Sequence, residues 1–336
     1  MSEGSIIEVN ETNNKTGSHA YVYLNDACNQ KCIFCSRPPE GKLFSLESVK
    51  AKIDEYADDS DIAKIVLTGG EPTIHPNFKE IVGYAVSKNK QIDIQTNGSV
   101  LDRKDYEDLR DIGLKSVSYA YTSHIPAISN ALRGVAGGFE KIESGLIAAD
   151  ALGMEIHLVH VVNKMNFIYL PEFIEHIEYL GIDKRKLWLN IMMVCPSGAA
   201  WDNREAIIPR LKDIKPYLIE ACHKCNKLGI AFDISEVVPL CVVSGFEKHV
   251  SATRFKAHNI RIVDENYSVY GIDNSTIDFN KNNPNLSIKA PGCSSCSLTA
   301  LCTGFYPQIA ELYGTDDFTP QTNDPGPILR DIETSN

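Results

Sequence analysis

The sequence predicts an α/β protein in which a partial (β/α)6 barrel is followed by a small C-terminal α+β unit. Strand and helix patterns alternate six times, cysteines and polar motifs follow the strand ends, and the composition changes after residue 228. Such alternation is typical of a parallel sheet with helical crossovers. We predict a polar N-terminal tail over residues 1–19, the barrel over 20–228, the C-terminal unit over 229–318 and a C-terminal tail over 319–336.

Six apolar, β-rich stretches predict the barrel strands. They cover residues 20–24, 63–68, 90–96, 115–121, 154–162 and 186–194. Helical periodicity falls between them, as in residues 46–56 and 77–86, and a long helical pattern over 205–228 closes the barrel. TIM-like barrels carry their active sites at the carboxyl ends of the strands, so we expect the functional side chains there.

The C-terminal region has a different pattern. The segment RIVDENYSVYGI predicts a hairpin with a turn at residues 264–266. A short helix is predicted over 309–313, with Gly314 as its stop. The last residues are polar and rich in turn formers, which predicts a tail or a covering strap.

Composition narrows the class of protein. The 336 residues are 43% apolar, which suffices for a large core. No apolar run is long enough to span a membrane, and the N-terminus has no signal-peptide pattern, so we expect a cytoplasmic protein. In that compartment ten cysteines favour metal binding over disulfides. The net charge of −11, without a basic run, disfavours nucleic acid as a partner.

Three cysteines follow the first predicted strand in the pattern Cys28-x-x-x-Cys32-x-x-Cys35. Three thiolates on one loop can bind three irons of a 4Fe–4S cluster and leave the fourth iron open, as a catalytic site requires. A zinc site would use four ligands, usually as two separated pairs, which fits this triplet poorly. The pattern therefore predicts a catalytic cluster.

Two polar motifs follow the next two strands. The segment KIVLTGGEPTIHP places Gly69, Gly70 and Glu71 after the second strand, and QIDIQTNGSV places Gln95 and Asn97 at the end of the third. Paired glycines let a backbone approach a ligand closely, and Glu71 supplies a carboxylate. Each motif alone is more often a turn. Their order on three successive strand ends makes the combination specific.

The order CxxxCxxC, GGEP and QTNG resembles the radical S-adenosylmethionine (SAM) superfamily, over about the first two-thirds of the chain. The resemblance implies a 4Fe–4S cluster on the three cysteines, with SAM chelating the open iron. Reductive cleavage of SAM would give a 5′-deoxyadenosyl radical that takes a hydrogen atom from substrate. The residues implied for the SAM pocket are Phe34 near the adenine, Gly69, Gly70, Glu71, Pro72, Gln95 and Asn97. For the family's serine after the fourth strand the candidates are Ser118, Thr122 and Ser123, of which we select Ser123.

A second cysteine group lies near the C-terminus. Cys293-x-x-Cys296 and Cys302 follow an isolated Cys241, and four thiolates of this kind bind a 4Fe–4S cluster or zinc. The segment resembles the auxiliary-cluster domains called SPASM and twitch. Tyr306 stands where the next SPASM cysteine would fall, which implies the twitch form with one auxiliary cluster. Full ligation implies a role in electron transfer.

Four further residues have two interpretations each. Cys195 follows the sixth predicted strand, where it is either a hydrogen-atom donor to a substrate radical or a small buried residue. Cys222 and Cys225 share one helix face and are either buried thiols or metal ligands. Arg133 either meets a substrate carboxylate or supports packing.

The resemblance predicts a radical SAM enzyme and favours a ribosomally made peptide as substrate, because many twitch and SPASM relatives modify peptides. The barrel begins by residue 20, so we expect leader recognition to need a separate binding protein, and flavodoxin or ferredoxin to supply electrons. Two alternatives stay open. One is the oxidation or other radical modification of a small molecule in cofactor or aminosugar biosynthesis. The other is a non-catalytic iron–sulfur electron carrier, which would not need a SAM pocket.

Overall fold

The computed structural model describes residues 18–257, 262–264, 276–277 and 286–334. Within these ranges the strands are β1 (Ser18–Asn25), β2 (Ile62–Gly69), β3 (Gln91–Thr96), β4 (Ser116–Ala120), β5 (Glu155–Val162), β6 (Leu187–Met193), β7 (Ala231–Ser235), β8 (Ile262–Val263) and β9 (Thr276–Ile277). They form one sheet in the order β7-β6-β5-β4-β3-β2-β1-β8-β9. Every neighbouring pair is parallel except β8 and β9. Eight parallel strands thus form a curled, partial barrel.

Helices between the strands cover one face of the sheet, and two further helices follow its last described strand. They are α1 (Leu46–Asp58), α2 (Phe78–Val86), α3 (Arg103–Ile112), α4 (Pro126–Arg133), α5 (Gly138–Ala151), α6 (Leu170–Leu180), α7 (Gly198–Asp202), α8 (Arg204–Ile207), α9 (Leu211–Leu228), α10 (Ser251–Ala257), α11 (Pro307–Tyr313) and α12 (Gly326–Glu333). The strand β1 alternates in the way that this layering requires. Its residues Ala20, Val22 and Leu24 are buried in the core, whereas Tyr21 and Tyr23 on the opposite face are partly exposed.

The predicted partial TIM-like barrel is confirmed. All six predicted strands are present, with ends within two residues of those expected. The sheet also gains two parallel strands that the sequence analysis did not assign to the barrel. At one edge β7 pairs with β6 beyond the boundary predicted at residue 228, and at the other β8 pairs with β1.

The prediction of one long helix over 205–228 is wrong in one respect, because the structure divides this segment into α8 and α9. Pro209 follows Ile208, whose backbone is extended at φ −86° and ψ 113°. A proline disfavours the helical conformation in the residue before it, which explains the break. The end of α9 is as predicted, with Gly229 in the left-handed conformation at φ 68°.

In the C-terminal region the predicted short helix is confirmed as α11, and Gly314 follows it. The hairpin turn predicted at 264–266 falls largely on residues outside the described ranges. The polar terminal stretch contains α12, which the sequence analysis did not predict. Ahead of α12, the backbone N–H of Gln321 donates to Cys296 Sγ at 3.3 Å, so this part of the tail covers the second cysteine group like a strap.

Candidate active site

Two glycines join the end of β2 to the loop that carries the first three cysteines. The N–H of Gly70 donates to the carbonyl of Asn25 at 3.1 Å, and the N–H of Glu71 donates to the carbonyl of Ala27 at 2.9 Å. A Cβ atom on Gly70 would lie 2.3 Å from the Ala27 carbonyl oxygen, and one on Gly69 would lie 2.4 Å from that of Asn25. The close approach that these glycines permit is therefore to the protein's own cysteine loop, whereas the sequence analysis expected an approach to a ligand.

Glu71 ties the end of β2 to the end of β3. Its side chain is fully buried, and Oε1 accepts from the N–H of Thr73 at 3.1 Å and the hydroxyl of Thr96 at 2.6 Å. Oε2 accepts from the N–H of Asn97 at 2.6 Å. Burial raises the pKa of Glu71, while the hydrogen bonds from these donors act in the opposite direction. The carboxylate thus orients neighbouring backbone, and its contact with the SAM amino group stays a prediction.

Asn97 ties the end of β3 to the cysteine loop. Its Nδ2 donates to Asn29 Oδ1 at 2.8 Å and lies 3.9 Å from Cys28 Sγ. The same sulfur accepts from the backbone N–H of Gln30 at 3.4 Å. The structure therefore brings together the three strand ends that the motifs singled out. Asn29 and Gln30 were missed by the sequence analysis, and their only signal was their position between two cysteines.

The three cysteines lie on one irregular loop and are partly buried. The N–H of Cys35 donates to the carbonyl of Cys32 at 3.1 Å, and the carbonyl of Cys35 accepts from Ala200 after β6 at 3.3 Å. Burial raises the pKa of all three thiols, that of Cys32 to about 12, and the positive charge of Arg133 opposes the shift at Cys32. Iron coordination would supply the positive charge that favours the thiolates.

Orphaned donors beside this loop fit an anionic group. Gln30 and Arg133 are 2% and 1% exposed, yet Gln30 Nε2 and Arg133 Nε lack a hydrogen-bond partner in the described part of the chain. Buried donors without partners are costly, so a native structure needs an acceptor for them. An iron–sulfur cluster on the cysteines offers sulfur acceptors and negative charge, so the residues present fit a 4Fe–4S cluster.

Three other predicted pocket residues lie at the same edge. Phe34 packs against the core while partly buried, Pro72 begins a buried 3₁₀ turn, and Gln95 Oε1 accepts from the hydroxyl of Thr68 at 3.2 Å. None of these contacts identifies a ligand. Their SAM-binding roles stay predictions.

The hydroxyls in and just after β4 differ in their partners. Ser118 donates to Asp93 at 2.6 Å, and the Oγ of Ser123 accepts from the N–H of Ile125 at 3.0 Å. Thr122 is fully buried, and its hydroxyl lacks a partner among the described residues. Ser123, which we selected from the sequence, therefore already has a local partner, and Thr122 is the hydroxyl left to bind a ligand.

Cys195 lies just after β6 and next to the cysteine loop. Its thiol is 3.2 Å from the hydroxyl of Ser197, which donates to the carbonyl of Ser36 at 3.1 Å. The residue is buried, with 7% exposure. Its position at the carboxyl edge matches the expectation, and hydrogen-atom donation by Cys195 stays a prediction.

The second cysteine group shares one pocket. Cys241, Cys293, Cys296 and Cys302 all line it. Cys302 Sγ accepts from the backbone N–H groups of Leu240 at 3.4 Å and Gly304 at 3.3 Å. The N–H of Gln321 also donates to Cys296 Sγ, so three backbone N–H groups point at sulfur atoms of this group. Hydrogen bonds of this kind help to set the reduction potential of an iron–sulfur cluster.

Electrostatics confirm that these thiols are close together. Burial, together with the neighbouring Cys302 and Cys293, raises the pKa of Cys241 to about 11. Within the described ranges no three or more His, Cys, Asp or Glu side chains are grouped as ligands of one metal ion. Cys222 and Cys225 do not line the pocket of the second cysteine group. Both are fully buried on α9, and burial raises their pKa values.

Comparison with known families identifies the class of protein. Residues 22–179 match the family model described as Radical SAM superfamily. Residues 22–179 belong to this superfamily and the chain is an enzyme, which disfavours the electron-carrier alternative. Within residues 18–257, 262–264, 276–277 and 286–334, no helix is long and apolar enough to cross a membrane.

Curated relatives differ in activity. The chain is similar to the Fe-coproporphyrin III synthase of Methanosarcina barkeri, with 25% identity over 64% of this chain and 54% of the relative. It is also similar to the PqqA peptide cyclase of Rhodopseudomonas palustris, with 27% identity over 62% of this chain and 56% of the relative. The chain thus spans about half the length of the curated relatives it matches.

Solved structures share the fold over nearly the whole chain. Streptococcus suis SuiB bound to S-adenosylmethionine has a TM-score of 0.64 at 14% identity, covering 91% of this chain and 76% of SuiB. Native anSMEcpe with bound AdoMet has a TM-score of 0.63 at 14% identity, covering 95% of this chain and all of that chain. At this identity the similarity establishes the fold.

Proposed function

We propose that this enzyme binds its catalytic 4Fe–4S cluster on Cys28, Cys32 and Cys35 and uses SAM to abstract a hydrogen atom from a ribosomally made peptide. The observation that carries the catalytic assignment is the side chain of Asn97. It bonds the cysteine loop while its backbone is held by the buried Glu71. Three strand ends are thereby fixed around one group of thiols.

When bound, the cluster and SAM would supply the difficult chemistry, which is one-electron cleavage of SAM to methionine and a 5′-deoxyadenosyl radical. The chain's own residues hold the cysteine loop in place and orient the polar groups around it. Glu71 fixes the Asn97 backbone, the Gln30 N–H points at Cys28 Sγ, and the glycines hold β2 against the cysteine loop. The buried Thr122 hydroxyl and the Asn97 side chain are the polar groups that we assign to SAM.

We assign an auxiliary 4Fe–4S cluster to Cys241, Cys293, Cys296 and Cys302. The assignment is supported by the shared pocket and by three N–H groups directed at Cys296 and Cys302. All four irons would have a protein ligand, so the site suits electron transfer rather than substrate binding.

The peptide substrate is supported by the breadth of the structural similarity. SuiB has been solved bound to precursor peptide SuiA, and anSMEcpe with bound Kp18Cys peptide, and the two structures cover 91% and 95% of this chain. One curated relative is a peptide cyclase. A separate leader-binding protein and a flavodoxin or ferredoxin reductant belong to the same proposal.

A small-molecule substrate is the second candidate. It is favoured by the Fe-coproporphyrin III synthase and by a GTP 3′,8-cyclase of Vibrio vulnificus, which is 27% identical over 48% of this chain. Under this alternative the auxiliary cluster would accept the second electron of an oxidation.

Deuterium transfer separates the two candidates. The reconstituted, reduced enzyme would be incubated with SAM and deuterated candidate precursor peptides. In parallel reactions deuterated GTP and a deuterated porphyrin would replace the peptide. We expect deuterium in 5′-deoxyadenosine, and a mass change in the substrate, only with the peptide. Transfer from GTP or the porphyrin instead would replace the peptide assignment with the small-molecule one.

A further inference from the structure

Arg133 is a buried cation at the end of α4 whose hydrogen-bond acceptors are all neutral. It is 1% exposed, and Nη1 donates to Gln30 Oε1 and to the carbonyl of Asn97, both at 3.1 Å. Nη2 donates to the carbonyl of Ala120 at the end of β4. Burying a guanidinium among neutral oxygens is costly, so its placement calls for nearby negative charge.

The cysteine loop lies against this cation. The N–H groups on either side of Cys32 both donate to the end of α4, Lys31 to the carbonyl of Arg133 at 3.1 Å and Ile33 to that of Leu132 at 3.0 Å. Gln30 Oε1, which accepts from Arg133, also lies 3.6 Å from Cys32 Sγ. One oxygen atom therefore stands between the guanidinium and a proposed cluster ligand.

Among the described residues, the carboxylate that acts on this cation is already held by other donors. Burial lowers the pKa of Arg133, and the charges of Cys32, Glu71, Tyr121 and Cys28 oppose that shift. The carboxylate of Glu71 is held by Thr73, Thr96 and the Asn97 N–H. Cys32 and the iron–sulfur group that it would hold lie closest to the guanidinium and would supply the remaining negative charge.

We propose that Arg133 is a positioning residue that sets the reduction potential of the cluster on Cys28, Cys32 and Cys35. Its fixed positive charge stabilises the reduced cluster, which carries one more electron than the oxidised cluster. The charge therefore makes reduction easier. This proposal rests on the proposed cysteine ligands. It answers the question left open by the sequence, because Arg133 supports the cluster loop instead of meeting substrate.

The test is a redox titration of the reconstituted holoenzyme without SAM, followed by electron paramagnetic resonance. Arg133→Gln should shift the reduction equilibrium of the first cluster about tenfold toward the oxidised state, which is about 59 mV for one electron. Arg133→Lys keeps the charge and should shift it less than about twofold. Arg185→Gln, an exposed arginine paired with Asp183, is the control for net charge and should shift nothing. The auxiliary cluster should titrate as in the wild type and serves as an internal reference.

Several outcomes would overturn the proposal. One is an unchanged potential in Arg133→Gln with weakened SAM affinity, which would make the residue a SAM ligand. Another is an equal shift in both Arg133 variants, which would assign the effect to hydrogen bonding instead of charge. If Arg133→Gln holds no iron, Arg133→Lys decides, because a tenfold shift there contradicts the proposal. A first-cluster signal that survives loss of all three cysteines would instead overturn the ligand assignment on which the proposal rests.

Discussion

At the scale of single residues, the site is organised by opposite charges on the two backbone polar groups of Asn97. The N–H of Asn97 donates to Glu71, and its carbonyl accepts from Arg133. Both charged side chains are buried, so each depends on the other and on the thiols nearby. The Asn97 side chain is thereby held next to Cys28.

Replacing Glu71 with glutamine should weaken this arrangement. The amide has one acceptor oxygen in place of two, so at least one donor among Thr73, Thr96 and Asn97 loses its partner. We expect roughly 1–3 kcal/mol less free energy of unfolding, measured with denaturant, and SAM binding weaker by a similar amount in calorimetric titration. Iron content should not change.

The matched control is Glu80→Gln, because Glu80 is an exposed residue of α2 paired with Lys50. Its effect should stay within about 0.5 kcal/mol. Unchanged stability and SAM affinity in Glu71→Gln would show that the buried carboxylate orients nothing that SAM needs.

The sequence predicted which residues matter here better than it predicted what they contact. The GGEP pattern located Gly70, but its close neighbour is the carbonyl of Ala27, which lies 43 positions earlier in the chain. Similarly, nothing in the segment LRGVAGG indicates that Arg133 is fully buried. Contacts between distant strand ends depend on the register of the sheet, which a local pattern does not contain.

At the scale of elements, the alternation of apolar strands and amphipathic helices predicted six strands and their order. Two features escaped it for physical reasons. The strand β7 is only five residues long and follows a helix stop, so it carries little pattern of its own. The division between α8 and α9 depends on one proline within a helical pattern.

Gly70→Ala tests the contact between β2 and the cysteine loop. The new Cβ would lie 2.3 Å from a backbone carbonyl, so the loop must move. We expect a loss of roughly 1–3 kcal/mol in unfolding free energy, and fewer irons in the first cluster. Iron analysis and denaturant unfolding measure both effects.

Gly83→Ala is the control, since its Cβ would meet Ile112 at 3.5 Å, an ordinary contact, within α2. Alanine should stabilise that helix by roughly 0.5–1 kcal/mol and leave the iron content unchanged. Equal iron contents in the two variants would contradict the role that we assign to Gly70.

At the scale of the whole molecule, both cysteine groups have members that follow the carboxyl ends of strands of the sheet. The first follows β1, and Cys241 of the second follows β7. A hydrogen bond from Tyr306 to Glu236, just after β7, joins the C-terminal region to the barrel. Tyr306 stands where a two-cluster domain would have a cysteine, so the structure gives that position a different contact.

Replacing Cys293 and Cys296 with alanine should distinguish the roles of the two proposed clusters. The wild type should bind about eight irons, and the double alanine variant about four, with slow SAM cleavage retained. Hydrogen abstraction should continue without product if the auxiliary cluster removes an electron, and deuterium from labelled substrate would appear in 5′-deoxyadenosine. About four irons plus one zinc in anaerobically purified wild type would instead make the C-terminal site structural.

The most direct test of the central claim is SAM cleavage by a variant in which Cys28, Cys32 and Cys35 are all alanine. The control replaces Cys222 and Cys225, the buried thiols of α9, with alanine. We predict that the triple variant retains only about four irons and forms no 5′-deoxyadenosine under reducing conditions, while the control keeps about eight irons and cleaves SAM. Cleavage of SAM by the triple variant would contradict the assignment of the catalytic cluster to these three cysteines.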